Sequence, residues 1–217
     1  MKLEITDKCL KFYAEILKDS EARYKSWEYC YMYFQKNKDK ANDKEILDKM
    51  CLHLAFYLAS WGMLRGSSFL LKKSYKVHVE AINIMMNDKY KILHNIKAQE
   101  LIQNMDLLFE CGEEVSLSYE KQYNCKIPSD TLITKIFLGI YGCVPAYDRY
   151  FKDAVKSANY CAKFNKKSIS QMCSFYNENI AEFNNIKKEI KNDLYTDMKL
   201  IDMYFWQIGK EESDKSI

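Results

Sequence analysis

The chain has 217 residues, 48% apolar and 14% aromatic, with 33 Lys and Arg against 30 Asp and Glu and a net charge of +3. That length fits one large domain better than two, and the apolar share is ordinary for a globular protein. Only 6 Gly and 2 Pro punctuate it, which argues against a sheet fold with many short turns, and a sequence pI near 8.3 falls below the value above about 9 expected of a dedicated nucleic-acid domain.

Apolar residues recur at helical spacing along most of the chain. Ile5, Cys9, Phe12 and Ile16 predict a first helix, and Tyr24, Trp27, Tyr31 and Phe34 a second. The polar run from Gln35 to Lys44 reads as a loop. Asp43 is placed to cap a third helix with Leu47, Met50, Leu54, Leu58 and Trp61 on one stripe. Gly62 is expected to end that helix in the left-handed conformation. Ser67 or Ser68 is expected to cap a fourth helix reaching about Met86. Leu101, Met105, Leu108, Gly112, Val115 and Tyr119 mark a long fifth.

Pro128 and Ser129 suit the entry to a helix ending near Tyr141. After the turn Gly142 to Pro145, another helix is expected from about Tyr147 to Phe164. Ser168 should cap one helix that turns Ile169, Met172, Tyr176, Phe183, Ile186 and Ile190 inward. The last is expected to begin at Asn192 or Thr196 and to stop at Gly209. The pattern therefore predicts an all-α fold of about eight or nine helices, one domain over 1–209 with a charged, disordered tail at 210–217.

The eight Cys include no C-x-x-C pair and sit mostly among apolar residues, so they read as free structural thiols of a cytoplasmic chain. Met1 to Lys8 holds no apolar signal core. The most apolar stretch, Cys51 to Leu64, is shorter than the roughly 18 residues of a membrane span, so no membrane partner is expected. His53, His78 and His94 lack ligand partners at helical spacing, and no cofactor motif is present, so neither metal nor cofactor is expected. Tyr29, Tyr31, Tyr33 and Phe34 lie in one helix and cannot all face one core. Exposed aromatics among lysines can stack nucleic-acid bases or mark a protein interface.

Two segments depart from the helical pattern, Ala59 to Phe69 and Leu138 to Phe151. They hold four of the six Gly and two of only three Arg, Arg65 and Arg149, in a chain with thirty Lys. A guanidinium binds carboxylate or phosphate through two parallel bonds, which an ammonium cannot do. Arg65, with Ser67 and Ser68 at a helix start, is a candidate anion site; the competing reading is a tight turn in which Arg65 pairs a structural carboxylate. Asp148 can either cap the next helix or face a cleft.

Lys135-Ile-Phe-Leu, the turn, and Pro145-Ala-Tyr-Asp148 resemble the stretch of helix-hairpin-helix DNA glycosylases that carries their catalytic Asp. The resemblance spans about residues 128–152. It implies an all-α protein that removes damaged bases, with Asp148 at the catalytic position and Lys135 as a candidate for the family's Lys. Where that family carries a Gly-rich hairpin, this chain reads Tyr123-Asn-Cys-Lys-Ile-Pro-Ser, without glycine.

Three functions stay open. One is a DNA-associated, glycosylase-like protein with Arg65, Lys135, Asp148 and Arg149 around one cleft. Another is a non-catalytic interaction protein, as a homodimer or with a protein partner, in which both segments are structural corners. The third is a small-ligand pocket walled by Trp61 and Tyr147.

Overall fold

The computed structural model describes residues 4–123 and 128–215. Among them it shows eleven α-helices and no strand. They are α1 (Ile5–Lys18), α2 (Lys25–Asn37), α3 (Lys44–Ser60), α4 (Val79–Met85), α5 (Ala98–Leu101), α6 (Met105–Tyr123), α7 (Asp130–Ile140), α8 (Arg149–Ser157), α9 (Lys166–Glu178), α10 (Ile180–Ile190) and α11 (Asp197–Lys215).

Two helices are buried nearly all round and form the centre. Every residue of α7 from Leu132 to Ile140 is buried, and so is every residue from Tyr195 to Gln207 at the start of α11. A helix without a polar stripe must be enclosed on all sides. Accordingly α11 packs on α8, α1 and α9, while α7 packs on α2, α3 and α6. Amphipathic helices surround them: α1 buries Ile5, Cys9, Phe12 and Ile16, half-buries Leu10 and Tyr13, and exposes Asp7, Lys11, Ala14, Leu17 and Lys18.

Local signals end the helices where the sequence places them in several cases. Asp43 accepts hydrogen bonds from the Glu45 and Ile46 amides, a cap worth about 1 kcal/mol. Ser129 accepts from the Leu132 amide. Gly62, at φ 75°, closes α3, and the Met63 amide reaches back to the Leu58 carbonyl at 2.8 Å.

Elsewhere the elements differ from expectation. The helix expected from Ser67 or Ser68 is instead two 3₁₀ turns, Phe69–Lys72 and Tyr75–His78, followed by the short α4. The helix expected over Tyr147 to Phe164 is only α8. It ends at Ser157, where Asn159 turns left-handed at φ 62° and the Tyr160 amide reaches back to the Val155 carbonyl at 2.8 Å. It starts after Tyr147, whose amide and that of Ala146 are taken by side chains of the two central helices. The Thr134 hydroxyl accepts from the Tyr147 amide and the Asp202 carboxylate from the Ala146 amide, both at 2.9 Å. Asn165, not Ser168, caps α9, and the single helix expected through Ile190 breaks at Asn179 into α9 and α10.

The final helix does not stop at Gly209. It runs to Lys215, so the expected tail is helical over 210–215, with Glu211 bonded to Lys8 and Lys11 of α1, and residues 216–217 lie outside the described residues. Gly209 serves close approach instead: a Cβ there would lie 2.0 Å from the Tyr150 carbonyl oxygen, so α8 and α11 meet backbone to side-chain-free backbone.

Candidate active site

Five chain segments meet at one end of the central helices. The turn before α2 brings Arg23, the C-terminus of α3 brings Trp61, Gly62 and Arg65, α7 brings Thr131 and Lys135, the start of α8 brings Asp148 to Tyr150, and α11 brings Trp206. Together they line a cleft of about 470 Å³.

Its floor is an ion pair. Lys135 Nζ donates to Asp148 Oδ2 at 3.0 Å, with side chains 3% and 17% exposed. The other oxygen, Asp148 Oδ1, accepts from the Phe151 amide at 3.2 Å and caps α8. One carboxylate therefore fixes its own helix and holds the lysine. The Lys135 ammonium lies 5.0 Å from the centre of the Trp61 ring, an attractive cation–π distance. The Trp61 Nε1 atom is buried without a hydrogen-bond partner.

A second buried pair lies directly beneath. Lys199 Nζ donates to Asp202 Oδ2 at 2.8 Å, and the ammonium sits 5.0 Å from the rings of both Phe12 and Trp27. Tyr57, wholly buried beside these groups, has its hydroxyl pKa pushed well up, first by burial and then by the Asp202 carboxylate.

The rim carries all three arginines of the chain. The Arg23 guanidinium is 5.3 Å from the Tyr24 ring and 5.8 Å from Trp61. Arg149 lies 4.8 Å from the Tyr150 ring. Arg65 folds back over Gly62, whose missing side chain leaves it room: a Cβ there would stand 3.1 Å from Arg65 Cζ. Among the described residues, none of the three pairs with a carboxylate, whereas eleven lysines do. The lining thus holds four cations and one acid.

The structure brings Trp61, Arg65, Lys135, Asp148 and Arg149 together and leaves three other candidates out. Ser67 is exposed away from the cleft, and the Ser68 hydroxyl accepts from the Leu70 amide at the start of a four-residue 3₁₀ turn. A turn that short has no helix dipole to hold an anion. Tyr147 is fully buried, and its hydroxyl bonds Ser168 at 2.6 Å, so it is core and not a wall. Arg23, Tyr150 and Trp206 were not singled out in the sequence. The rarity of arginine was a signal for Arg23; Trp206 looks like any core aromatic.

Other side chains that could react lie outside the cleft. Burial pushes the Cys143 thiol well up, which removes it as a nucleophile. The His78 imidazole bonds the Tyr119 hydroxyl at 2.7 Å, and His53 stacks on Tyr33. Among the described residues no group of three or more His, Cys, Asp or Glu could hold a metal ion, and no helix is long and apolar enough to cross a membrane. Residues 124–127, where the glycosylase hairpin would fall, lie outside the described residues.

Fold and cleft define an all-helical protein with three guanidiniums, none paired with a carboxylate among the described residues, above a buried Lys–Asp pair. No family model matches the chain, and no curated protein or solved structure does.

Proposed function

We propose that the cleft binds the sugar–phosphate of nucleic acid, and that Lys135 and Asp148 act on the glycosidic carbon of a nucleotide held there, as a diverged base-excision enzyme. One observation carries this reading: the only three guanidiniums of the chain meet, free of carboxylates, over a buried lysine and acid. A guanidinium fork matches a phosphate, and Lys135 holds its nitrogen 3.0 Å from a carboxylate oxygen, a distance over which a proton can pass.

The chemistry follows from the pair. Lys135 passes a proton to Asp148. The free amine bonds to C1′ of the sugar as the C1′–N bond breaks, and the base leaves with that electron pair. The proton on Asp148 then goes to the departing base, which regenerates the carboxylate beside a cationic Lys135–C1′ adduct. One N–H proton of that adduct passes to O4′ as the C1′–O4′ bond breaks, and the nitrogen lone pair forms the protonated C1′=N Schiff base that borohydride reduces.

A second reading is favoured by the cap that Asp148 Oδ1 gives α8: Lys135 and Asp148 merely tie α7 to α8. The two readings part in one experiment. Oligonucleotides carrying alkylated, deaminated or oxidised bases, or an abasic site, are incubated with the protein and borohydride. Base release, and a trapped protein–DNA adduct that is lost in Lys135→Gln, are expected, with base release lost in Asp148→Asn. Folded protein that releases no base and traps no strand across the panel would leave only the structural reading.

A further inference from the structure

The distribution of charge points to the form of nucleic acid the cleft takes, an inference that rests on the reading above. The whole chain has 33 basic and 30 acidic residues. The cleft lining has four and one, which leaves 29 of each elsewhere. The excess positive charge of the molecule is therefore the charge of the cleft. Outside it, lysines such as Lys8, Lys11, Lys49, Lys89 and Lys91 pair with carboxylates.

A protein that grips a duplex neutralises roughly 6–10 phosphates along a broad basic face. Outside the cleft 29 cations are matched by 29 acids, so no net positive charge is left over for such a face. A single strand needs less: a few phosphates held by basic groups, with bases stacked on aromatic rings. The cleft supplies both. Arg23, Arg65 and Arg149 pair with no carboxylate among the described residues, and the half-buried rings of Trp61 and Tyr150 line the cleft beside them. Its volume of about 470 Å³ is that of a pocket enclosing one small ligand, within the range of roughly 300–1,000 Å³.

We infer that the substrate is single-stranded nucleic acid held over a short footprint of about three phosphates, one for each guanidinium. Each arginine then contributes to affinity through one phosphate, and strand beyond the footprint adds nothing.

Fluorescence anisotropy on the full chain tests this with labelled single strands of 2, 4, 8 and 16 nucleotides and a 16-base-pair duplex, between 50 and 200 mM KCl. Affinity should rise to about four nucleotides and then level. The slope of log affinity against log salt should be about −2, a loss of roughly twentyfold over that range, from about 0.7 per phosphate of a single strand. Arg23→Gln, Arg65→Gln and Arg149→Gln, all at exposed positions, should each reduce the slope by about 0.7. Duplex binding that is tighter than single-strand binding, with a slope steeper than −5, would overturn the inference and leave the base-excision reading standing. Absence of binding to every oligonucleotide would remove both.

Discussion

Lys135 is an ammonium buried in a helix whose neighbours are otherwise apolar, and it is tolerable there because Asp148 meets it at 3.0 Å. Removing one member of a buried pair costs more than removing both, since it strands a charge. Asp148→Asn keeps the α8 cap, because Asn caps as well as Asp, so its effect reports on the pair. It should destabilise the protein by about 3 kcal/mol in urea unfolding, and Lys135→Met combined with Asp148→Asn should recover most of that loss. A double variant as unstable as the sum of the singles would show that the two side chains do not interact. Lys135 and Asp148 were legible in the sequence because thirteen residues and one turn separate them. Arg23 lies far from both along the chain, and only the packing of α2 on α3 and α7 brings it to the cleft. Tyr147 misled for the opposite reason: its neighbour Asp148 faces the cleft, while its own side chain points the other way, to Ser168.

Among elements, the crossing of α8 and α11 sets the cleft wall. Tyr150 and Arg149 sit on the turn that Gly209 allows to come close. Gly209→Ala places a methyl group on the Tyr150 carbonyl, and the backbone of α8 must move. Stability should drop by about 1–3 kcal/mol, the usual cost of overpacking. Any oligonucleotide affinity should fall with it, measured at a temperature where the variant is still folded. Gly209 reads as a helix stop in sequence because nothing local distinguishes a terminating glycine from one needed for contact. The same end of α11 is tied to α1 through Glu211. Desolvation alone would raise the pKa of this carboxyl, but bonds from Lys11, Lys8 and Gln207 outweigh it and hold it at about 2. A depressed carboxyl stabilises the fold above its ordinary pKa near 4.5 and loses that contribution as pH falls toward 2. Glu211→Gln should lower Tm at pH 7 by about 2–4 °C and flatten the stability decline between pH 4.5 and 2. An unchanged acid limb in that variant would place the pair outside the folding equilibrium.

For the whole molecule, acid sensitivity should be set by histidines, not by the cleft. Burial holds His78 down at about 3, and burial, reinforced by Lys38, holds His94 at about 4, both from an ordinary value of 6.5. Below pH 6.5 the unfolded chain binds a proton at each site that the folded chain refuses. Stability is therefore full above that value and declines as pH falls toward 4, by about 1.4 kcal/mol per pH unit for each histidine. Two such groups remove about 5 kcal/mol by pH 4.5, comparable with the roughly 5–15 kcal/mol that a domain has in all. Urea unfolding at pH 7, 6, 5 and 4.5 should show this fall. His78→Phe keeps the site aromatic and apolar but leaves the Tyr119 hydroxyl without its imidazole partner. It should be less stable than the parent at pH 7, yet lose stability only about half as steeply below pH 6. Parallel curves for variant and parent would mean that His78 protonates without unfolding the chain, and the acid limb would then belong to the carboxylates.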